Sequence, residues 1–228
     1  IFTTLGERLA SFGGDDKSHS IIEDAIAVNG WFTRVDILRA VEAIRTEMLE
    51  RERLTSWLQN YTATTEPKRV AVIMAGNLPL VGFFDLMCVL FAGHECHYKP
   101  SSKDSLLMNY IVEELRAIEP QIALYAFDPA ADYDMLIATG GDSAVHHFDT
   151  HYASTRRLLR GSRHSIAVLS GSETSEELEA LNWIAFKQQY FSSAFIAEEP
   201  ISAELGFTNS QHKGIDFMKE YRATLHIP

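Results

Sequence analysis

Cysteine is scarce in this chain of 228 residues, with only Cys88 and Cys96 present. Two thiols cannot build the multi-bridge framework of a small secreted domain, so both cysteines are predicted to be reduced. Positive charge is also in deficit, with 20 Lys and Arg against 31 Asp and Glu and a formal net charge of -11. A nucleic-acid surface needs a basic stripe, and the composition therefore excludes nucleic acid as a partner.

Long apolar runs are missing as well. No stretch of about 18 uncharged apolar residues occurs, so no integral membrane segment is predicted. The longest apolar stretch, 78–92, is interrupted by Pro79, Gly82 and Asp85. The start at Ile1 carries no signal-peptide pattern and no initiator Met, which predicts that the natural N-terminus lies upstream. With 46% hydrophobic residues the chain can bury a large core, and we expect a cytoplasmic globular protein.

Residues 1–66 carry apolar side chains at helical spacing and are predicted to form an N-terminal helical segment. Asn29 and Gly30 are expected to end one helix. Thr33 is expected to cap the next one, with Asp36 three residues on in a capping-box-like position.

Strand and helix patterns alternate over 67–171, which predicts an α/β domain with a doubly wound, mostly parallel nucleotide-binding sheet. The helix over 80–91 is apolar nearly all round and is expected to be buried. The predicted strands are 70–75, 95–99, 122–127, 133–138 and 165–169, and the other predicted helices are 105–118 and one beginning at 143. Residues 172–228 do not continue the alternation and contain an aromatic-rich stretch over 183–195.

Turn residues follow three of the predicted strands: Gly76 and Asn77, then Lys99 with Ser101, then the glycines after Thr139. Each turn taken alone is ordinary turn chemistry. Because parallel strands bring their carboxyl ends to one edge, the three together predict a site for a phosphate-bearing ligand there.

The order of these segments resembles the aldehyde dehydrogenase superfamily. Within that superfamily the chain looks most like the LuxC-like acyl-CoA reductases, which feed fatty aldehyde synthesis. The segments that carry the resemblance are Val-Ile-Met-Ala-Gly-Asn-Leu-Pro-Leu at 72–80, Tyr-Lys-Pro-Ser-Ser-Lys-Asp at 98–104 and Ile-Ala-Thr-Gly-Gly at 137–141, and segments 29–33 and 160–169 also fit.

The resemblance extends over about residues 20–181 and implies an aldehyde dehydrogenase-like fold. It implies that Asn77 is the catalytic amide, whose side-chain N–H stabilises the oxyanion. It further implies that the backbone of Met74, Ala75 and Gly76 lines a dinucleotide, which is NADP or NAD.

Five more residues are implied to bind the same cofactor. Lys99 and Ser101 would contact the adenosine ribose or its phosphate. Thr139, Gly140 and Gly141 match the turn that receives the pyrophosphate at a helix N-terminus. Gly141 stands where the superfamily has Ser, which puts that one contact in question.

The family's nucleophilic cysteine has no counterpart in this chain, because no cysteine follows Cys96. One hypothesis is that the numbered chain omits internal segments that include this cysteine, so that 172–228 is an incomplete remnant of a catalytic and oligomerisation region. The alternative is a catalytically inactive relative. The segment 158–162 also lacks the carboxylate that hydrolytic relatives use to activate water, which favours transfer to the thiol of coenzyme A.

Several other residues have both a structural and a functional interpretation. Cys88 is predicted to be a packed core thiol, and no metal site is predicted from His94, Cys96 and His97 or from the His147 and His151 pair. A basic cluster is interpreted either as a solvated loop with ion pairs or as an anion-attracting surface; its members are Arg156, Arg157, Arg160, Arg163 and His164.

The resemblance implies NAD(P)H-dependent reduction of a fatty acyl-CoA thioester to an aldehyde through a cysteine thioester. Two alternatives stay open: an aldehyde dehydrogenase that runs in the oxidative direction, and an inactive dinucleotide-binding relative. The expected partners are the acyl-CoA substrate and other copies of the chain in a homo-oligomer.

Overall fold

The computed structural model describes residues 1–59, 61, 64, 66–161 and 171–178. The chain divides into two compact units, one formed by 1–140 with 144–160 and the other by 141–143 with 161–228. The elements below belong to the first unit, apart from the two opening residues of α7.

The N-terminal part is helical, as predicted, and its helix starts are fixed by short polar caps. The Asp15 carboxylate accepts the Ser18 amide N–H at 2.9 Å, and the Thr33 hydroxyl accepts the Asp36 amide N–H at 3.1 Å. The caps satisfy amide groups that a helix leaves unpaired at its first turn. The helices are α1 (Phe2–Leu9), α2 (Asp16–Val28), α3 (Arg34–Ala43), a π-helical turn (Ile44–Met48) and α4 (Arg51–Leu58).

Within the described residues a five-stranded parallel sheet follows, with the strand order β3-β2-β1-β4-β5. This order confirms the predicted doubly wound sheet, since the chain moves outward from β1 in one direction and then in the other. The elements are β1 (Arg69–Ile73), α5 (Phe83–Phe91), β2 (Glu95–Lys99), α6 (Ser105–Ile118), β3 (Leu124–Ala126), β4 (Met135–Thr139), α7 (Asp142–His151) and β5 (Arg156–Arg160).

The two faces of the sheet bury different residues of the same strand. Val70 and Val72 of β1 join the larger core, which also contains Phe83 of α5 and the apolar faces of α1 and α6. Ala71 and Ile73 point to the other face and pack in a smaller cluster. Strand side chains alternate between faces, so α5, α6 and the N-terminal helices cover one side. None of the helices within the described residues is long and apolar enough to cross a membrane.

Two predicted elements are shorter than expected because of the loop between them. The first strand ends at Ile73, and α5 begins at Phe83 instead of Leu80. Leu80 has a left-handed φ of 58°, which cannot continue a right-handed helix. The helix is also not buried all round, because the Phe84 side chain is 46% exposed.

The segment Arg156–Arg160, interpreted from sequence as part of a basic loop, is instead the strand β5, paired with β4 from Met135 to Thr139. The third strand is also shorter than predicted, at Leu124–Ala126, whereas β2 and α6 have the predicted bounds. The predicted strand over 165–169 lies outside the described residues. The division at residues 66 and 171 stays a prediction.

Candidate functional site

The carboxyl ends of β2, β1 and β4 lie side by side at one edge of the sheet. Ile73 of β1 is in register with Lys99 of β2 on one side and with Ala138 of β4 on the other. Adjacent strands are about 4.8 Å apart, so Lys99 and Ala138 are separated by about 10 Å across this edge. The edge lies where the strand order reverses, which is where open α/β sheets bind ligands. We name it the switch edge.

The first loop at the switch edge runs from Met74 to Leu80 and contains most of the predicted site. The Met74 amide N–H donates to the Lys99 carbonyl at 2.9 Å, so this amide is used by the sheet and is not available to a ligand. Gly76 is buried and Ala75 is half-buried. A methyl group at Gly76 would lie 2.5 Å from Cβ and Oγ of Ser101, which explains why this position is a glycine.

Asn77 lies at the tip of this loop and is half-buried. Its side chain makes no hydrogen bond within the part of the chain that the structure describes. An amide with free N–H donors beside the switch edge could stabilise a developing negative charge on a substrate oxygen.

The second loop carries positive charge. Lys99 and Lys103 are both exposed, and neither forms an ion pair with any described residue. Ser101 is half-buried, packs against Gly76 and accepts the Lys103 amide N–H through its Oγ at 3.3 Å. Two unpaired ammonium groups next to a serine hydroxyl make this loop suitable for a phosphate or ribose group.

The third loop follows β4. The Thr139 hydroxyl oxygen is buried and has no hydrogen-bond partner among the described residues. Buried hydroxyls are nearly always paired, so an orphan at the end of this strand fits a group that accepts from or donates to it when bound. The Gly140 amide N–H donates to the Arg160 carbonyl at 3.1 Å and is therefore not free to receive a pyrophosphate. Gly141 is exposed and belongs to the second unit, so its contact stays a prediction.

Two of the three arginines of β5 are engaged in ion pairs. Arg157 pairs with Asp149 at 2.6 Å, and Arg160 donates to both carboxylate oxygens of Asp85, at 2.8 Å and 2.7 Å. Because their positive charges are already paired, Arg157 and Arg160 do not support the interpretation of this cluster as an anion-attracting surface. Arg163 and His164 lie outside the described residues.

Neither cysteine has the environment of a nucleophile. Burial, reinforced by the nearby Asp85 carboxylate, raises the pKa of the Cys88 thiol to about 11. Burial raises the pKa of Cys96 still further above its ordinary value. A thiolate is the reactive form, so both thiols are inert near neutral pH. Cys88 is half-buried, whereas Cys96 is fully buried on the core side of β2.

No group of three or more His, Cys, Asp or Glu within the described ranges could hold a metal ion. His97 instead packs its ring between Tyr125 and Tyr133, with ring centroids 5.1 Å and 5.2 Å away. His147 and His151 stack on each other at 4.0 Å. These contacts account for His97, His147 and His151, and His94 accepts the Lys68 amide N–H through its Nδ1 at 3.3 Å.

Two buried polar residues at the switch edge were missed by sequence reasoning. Asp104 lies in the segment 98–104 that carries the family resemblance and has no predicted role of its own, but its carboxylate accepts the Leu80 amide N–H at 2.8 Å. Asn29 was interpreted only as a helix end, but its side-chain amide donates to the carbonyls of Gly76 and Lys103 at 3.3 Å and 3.4 Å. Asn and Asp are both common at helix ends, so their positions in the sequence indicate helix caps and give no sign of these long-range hydrogen bonds.

A family model described as acyl-CoA reductase (LuxC) matches residues 17–194. The chain belongs to the LuxC family of acyl-CoA reductases. The match covers well over half of the chain and includes all three loops of the switch edge. It confirms the family resemblance drawn from the sequence.

Among solved structures, the chain is similar to a point mutant of betaine aldehyde dehydrogenase from Staphylococcus aureus in complex with NAD+. The TM-score is 0.52 at 16% sequence identity, over 84% of this chain and 43% of that one. A second structure of the same dehydrogenase, also in complex with NAD+, has a TM-score of 0.48 at 15% identity, over 74% of this chain and 39% of that one. The first of these likenesses confirms the aldehyde dehydrogenase-like fold, and the chain spans about two fifths of the length of these dehydrogenases.

Among curated proteins, a short segment is similar to the membrane protein insertase YidC from two strains of Bacteroides fragilis. The identity is 39% over 59 residues, which is 25% of this chain and 10% of the insertase. So short a match says nothing about the fold of the whole chain.

Proposed function

We propose that the chain is the dinucleotide-binding part of a cytoplasmic acyl-CoA reductase, which reduces a fatty acyl-CoA thioester to an aldehyde with NADP or NAD as cofactor. The observation that carries the proposal is the switch edge. Its three loops contain the Asn77 amide, Lys99 and Lys103, and the Thr139 hydroxyl, whose side-chain polar atoms have no partner among the described residues. Family membership supports redox chemistry at an aldehyde or acyl-CoA carbon.

The residues of this edge suit the cofactor. Lys99 and Lys103 would attract its phosphates, and Ser101 would contact the adenosine ribose. Gly76 and Ala75 would let the dinucleotide approach the backbone, with Met74 contributing its carbonyl because its amide is already used. Thr139, Gly140 and Gly141 would lie beside the pyrophosphate, with the Thr139 hydroxyl as the hydrogen-bonding group.

The preference between the two cofactors follows from charge. The carboxylate that NAD sites usually carry at the end of the second strand has no exposed counterpart in residues 99–104. Lys99 and Lys103 are exposed there, and the one acid, Asp104, is buried and bonded to the Leu80 amide. An ammonium tolerates and attracts a 2′-phosphate. We therefore propose that NADP binds at least as tightly as NAD.

When bound, the reduced nicotinamide supplies a hydride to the acyl carbon. The side-chain N–H of Asn77 would donate to the oxygen of that carbon as negative charge develops on it. The acyl group would be held as a thioester on a cysteine that is neither Cys88 nor Cys96, because both of those thiols stay protonated. The acyl-CoA sulfur takes up the proton of the attacking thiol as free coenzyme A leaves.

Residues 1–66 are proposed as the helical layer of this domain and 67–171 as its nucleotide-binding sheet. Residues 172–228 are proposed as a remnant of the catalytic and oligomerisation region, and homo-oligomers are expected.

The test is a calorimetric titration of the chain with NADPH and NADH, beside the variants Lys99→Ala and Lys68→Ala. Lys68 precedes β1, at the opposite edge of the sheet, and serves as the matched lysine control. We expect Lys99→Ala to weaken NADPH binding about tenfold, and NADH binding less, with no change for Lys68→Ala. The absence of heat with either dinucleotide would refute the proposal.

A second candidate function is supported by the two inert thiols, since a chain without a usable nucleophile could bind the dinucleotide and turn nothing over. Because the reductase needs a cysteine other than Cys88 and Cys96, the two candidates are separated by oxidation of NADPH in the presence of acyl-CoA, assayed on the natural full-length gene product. Binding without acyl-CoA-dependent oxidation would favour the inactive module, and oxidation with aldehyde release would favour the reductase. Formation of NADH from NAD+ in the presence of aldehyde and coenzyme A would point to the oxidative direction.

A further inference from the structure

The loop from Gly76 to Leu80 needs support from outside, because it belongs to neither β1 nor α5. Gly76 packs against Ser101 with no room for a side chain. At its other end, Leu80 adopts a left-handed φ of 58°, a backbone conformation that is unfavourable for a residue other than glycine. A loop with a strained end keeps one conformation only when its surroundings hold it.

Two buried polar side chains provide such support, one at each end. Asn29, which is 5% exposed, donates to the Gly76 carbonyl and so holds the beginning of the loop. Asp104, which is 2% exposed, accepts the Leu80 amide N–H at 2.8 Å and so holds the end. Asn77 lies between the two attachment points.

The Asp104 side chain is poorly explained by helix capping. It occupies the N-cap position of α6 but makes no capping hydrogen bond to that helix. Its second oxygen, Oδ1, is buried with no partner within the described residues. A carboxyl group is an unfavourable choice for such a position, since burying a polar atom without a partner destabilises the folded state. The hydrogen bond that it does make is the one to the loop.

Asn29 connects three segments. Its amide nitrogen bonds to Gly76 and to the Lys103 carbonyl, and its oxygen accepts the Trp31 amide N–H at 3.2 Å. The Asn29 side chain therefore connects the end of α2 with the first loop of the switch edge, at Gly76, and with the second loop, at Lys103.

We propose that Asn29 and Asp104 are positioning residues, which hold the two ends of the Gly76–Leu80 loop so that Asn77 and the loop backbone keep their places at the switch edge. The proposal rests on the proposed function, since it assigns these residues to a dinucleotide-binding loop. Neither residue touches the cofactor in this proposal; both act through the loop backbone.

The first test is hydrogen exchange of backbone amides in the wild-type chain without any ligand. The Leu80 amide should exchange at least tenfold more slowly than that of Leu78, whose side chain is 41% exposed in the same loop and whose amide has no partner among the described residues. Equal exchange rates at Leu80 and Leu78 would overturn the proposal whether or not a dinucleotide binds. This arm is therefore independent of the proposed function.

The second test compares variants by exchange over residues 76–82 and by the Kd for NADPH. Asp104→Leu removes the acceptor, whereas Asp104→Asn retains a carbonyl oxygen that can accept the Leu80 N–H. We expect Asp104→Leu to speed exchange and weaken NADPH binding about tenfold, and Asp104→Asn to stay within about threefold of wild type. This rescue by the conservative variant distinguishes positioning from general destabilisation.

Ser18→Ala is the matched control, because Ser18 is a fully buried polar residue whose hydrogen bonds lie within 13–18. Should Asp104→Leu fail to fold, Asn29→Ala tests the other end of the loop by the same readouts. The proposal is overturned when the variants at 29 or 104 leave loop exchange and the Kd unchanged, or when Ser18→Ala changes both to the same extent. A wild-type chain that shows a protected Leu80 amide but binds no dinucleotide would refute the proposed function alone.

Discussion

The Asp104 carboxyl should make the stability of this protein fall as pH rises from 5 to 8. Burial raises the pKa of this group from its ordinary 3.8 to about 7, although the Leu80 hydrogen bond acts in the opposite direction. The folded chain therefore holds this proton more tightly than the unfolded chain does. Its contribution is fully present below about pH 4 and is lost as pH rises through 7.

The size of the effect follows from the two pKa values. Each unit of difference is worth about 1.4 kcal/mol, and a carboxyl with these values lowers the free energy of unfolding by about 2.5 kcal/mol between pH 5 and pH 8. The substitution Asp104→Asn has nearly the shape of the protonated carboxyl and does not titrate. We expect the stability of wild type minus that of Asp104→Asn to fall by about 2.5 kcal/mol over this range.

The assay is urea unfolding of both proteins at pH 5, 6, 7 and 8, monitored by circular dichroism and tryptophan fluorescence. Asp132→Asn, at an exposed loop position, is the control and should show a constant difference from wild type. A difference that stays flat for Asp104→Asn would refute the reasoning. A flat difference is also what a pKa at or below 3.8 would give, because the carboxyl would then be ionised in both the folded and the unfolded chain over this range.

Three further results are expected. Gly76→Ala should lower the free energy of unfolding by about 1–3 kcal/mol and weaken dinucleotide binding, because the new methyl group would overlap with Ser101. Gly30→Ala, whose new methyl group has nothing within 4 Å, should have neither effect, and equal effects in the two variants would contradict the packing argument. Phe83→Ala should cost about 3–5 kcal/mol in urea unfolding and its exposed neighbour Phe84→Ala less than about 1 kcal/mol, and similar losses would contradict the assigned helix face. Alkylation of Cys88 by iodoacetamide at pH 8, followed by mass spectrometry, should be about 100-fold slower in the folded chain than in urea, because folding raises the pKa of the Cys88 thiol from 9.0 to about 11. Equal rates in the two states would show that the thiolate is accessible in the folded chain.

Some elements could be predicted to the residue because local chemistry sets both of their ends. The strand Glu95–Lys99 begins after Gly93, whose φ of 83° favours glycine, and ends before Pro100. The helix Ser105–Ile118 ends just before Pro120, which cannot continue a helix. In both cases the decisive residues adjoin the element in sequence.

Other features depend on contacts between distant residues and leave no local pattern. In the sequence the strand Arg156–Arg160 resembles a solvated basic segment, because the acid that pairs with Arg160 lies far away along the chain. That acid is Asp85 of α5. The late start of α5 depends on the left-handed Leu80 and on Asp104, which is 24 positions further along the chain. Such pairings become visible only once the sheet has brought the loops together.

The candidate site shows the same division. The three loops could be located from strand ends alone, since parallel pairing brings these ends to one edge. The sequence could not predict which amides remain free for a ligand, because the N–H groups of Met74 and Gly140 donate to carbonyls of neighbouring strands. Asn29 and Asp104 were likewise hidden, as their partners are backbone atoms of another segment.

The packing of α1 on α5 has a consequence for how the protein comes apart. The Phe2 ring lies 4.5 Å from Phe91 and 6.4 Å from Phe83, so the first helix of the chain fills the same core as the helix that follows β1. The helical segment and the sheet are therefore separate along the sequence but share one hydrophobic core. Both parts should melt in one cooperative transition, and a truncated protein that starts at residue 67 would expose those two rings to water and aggregate.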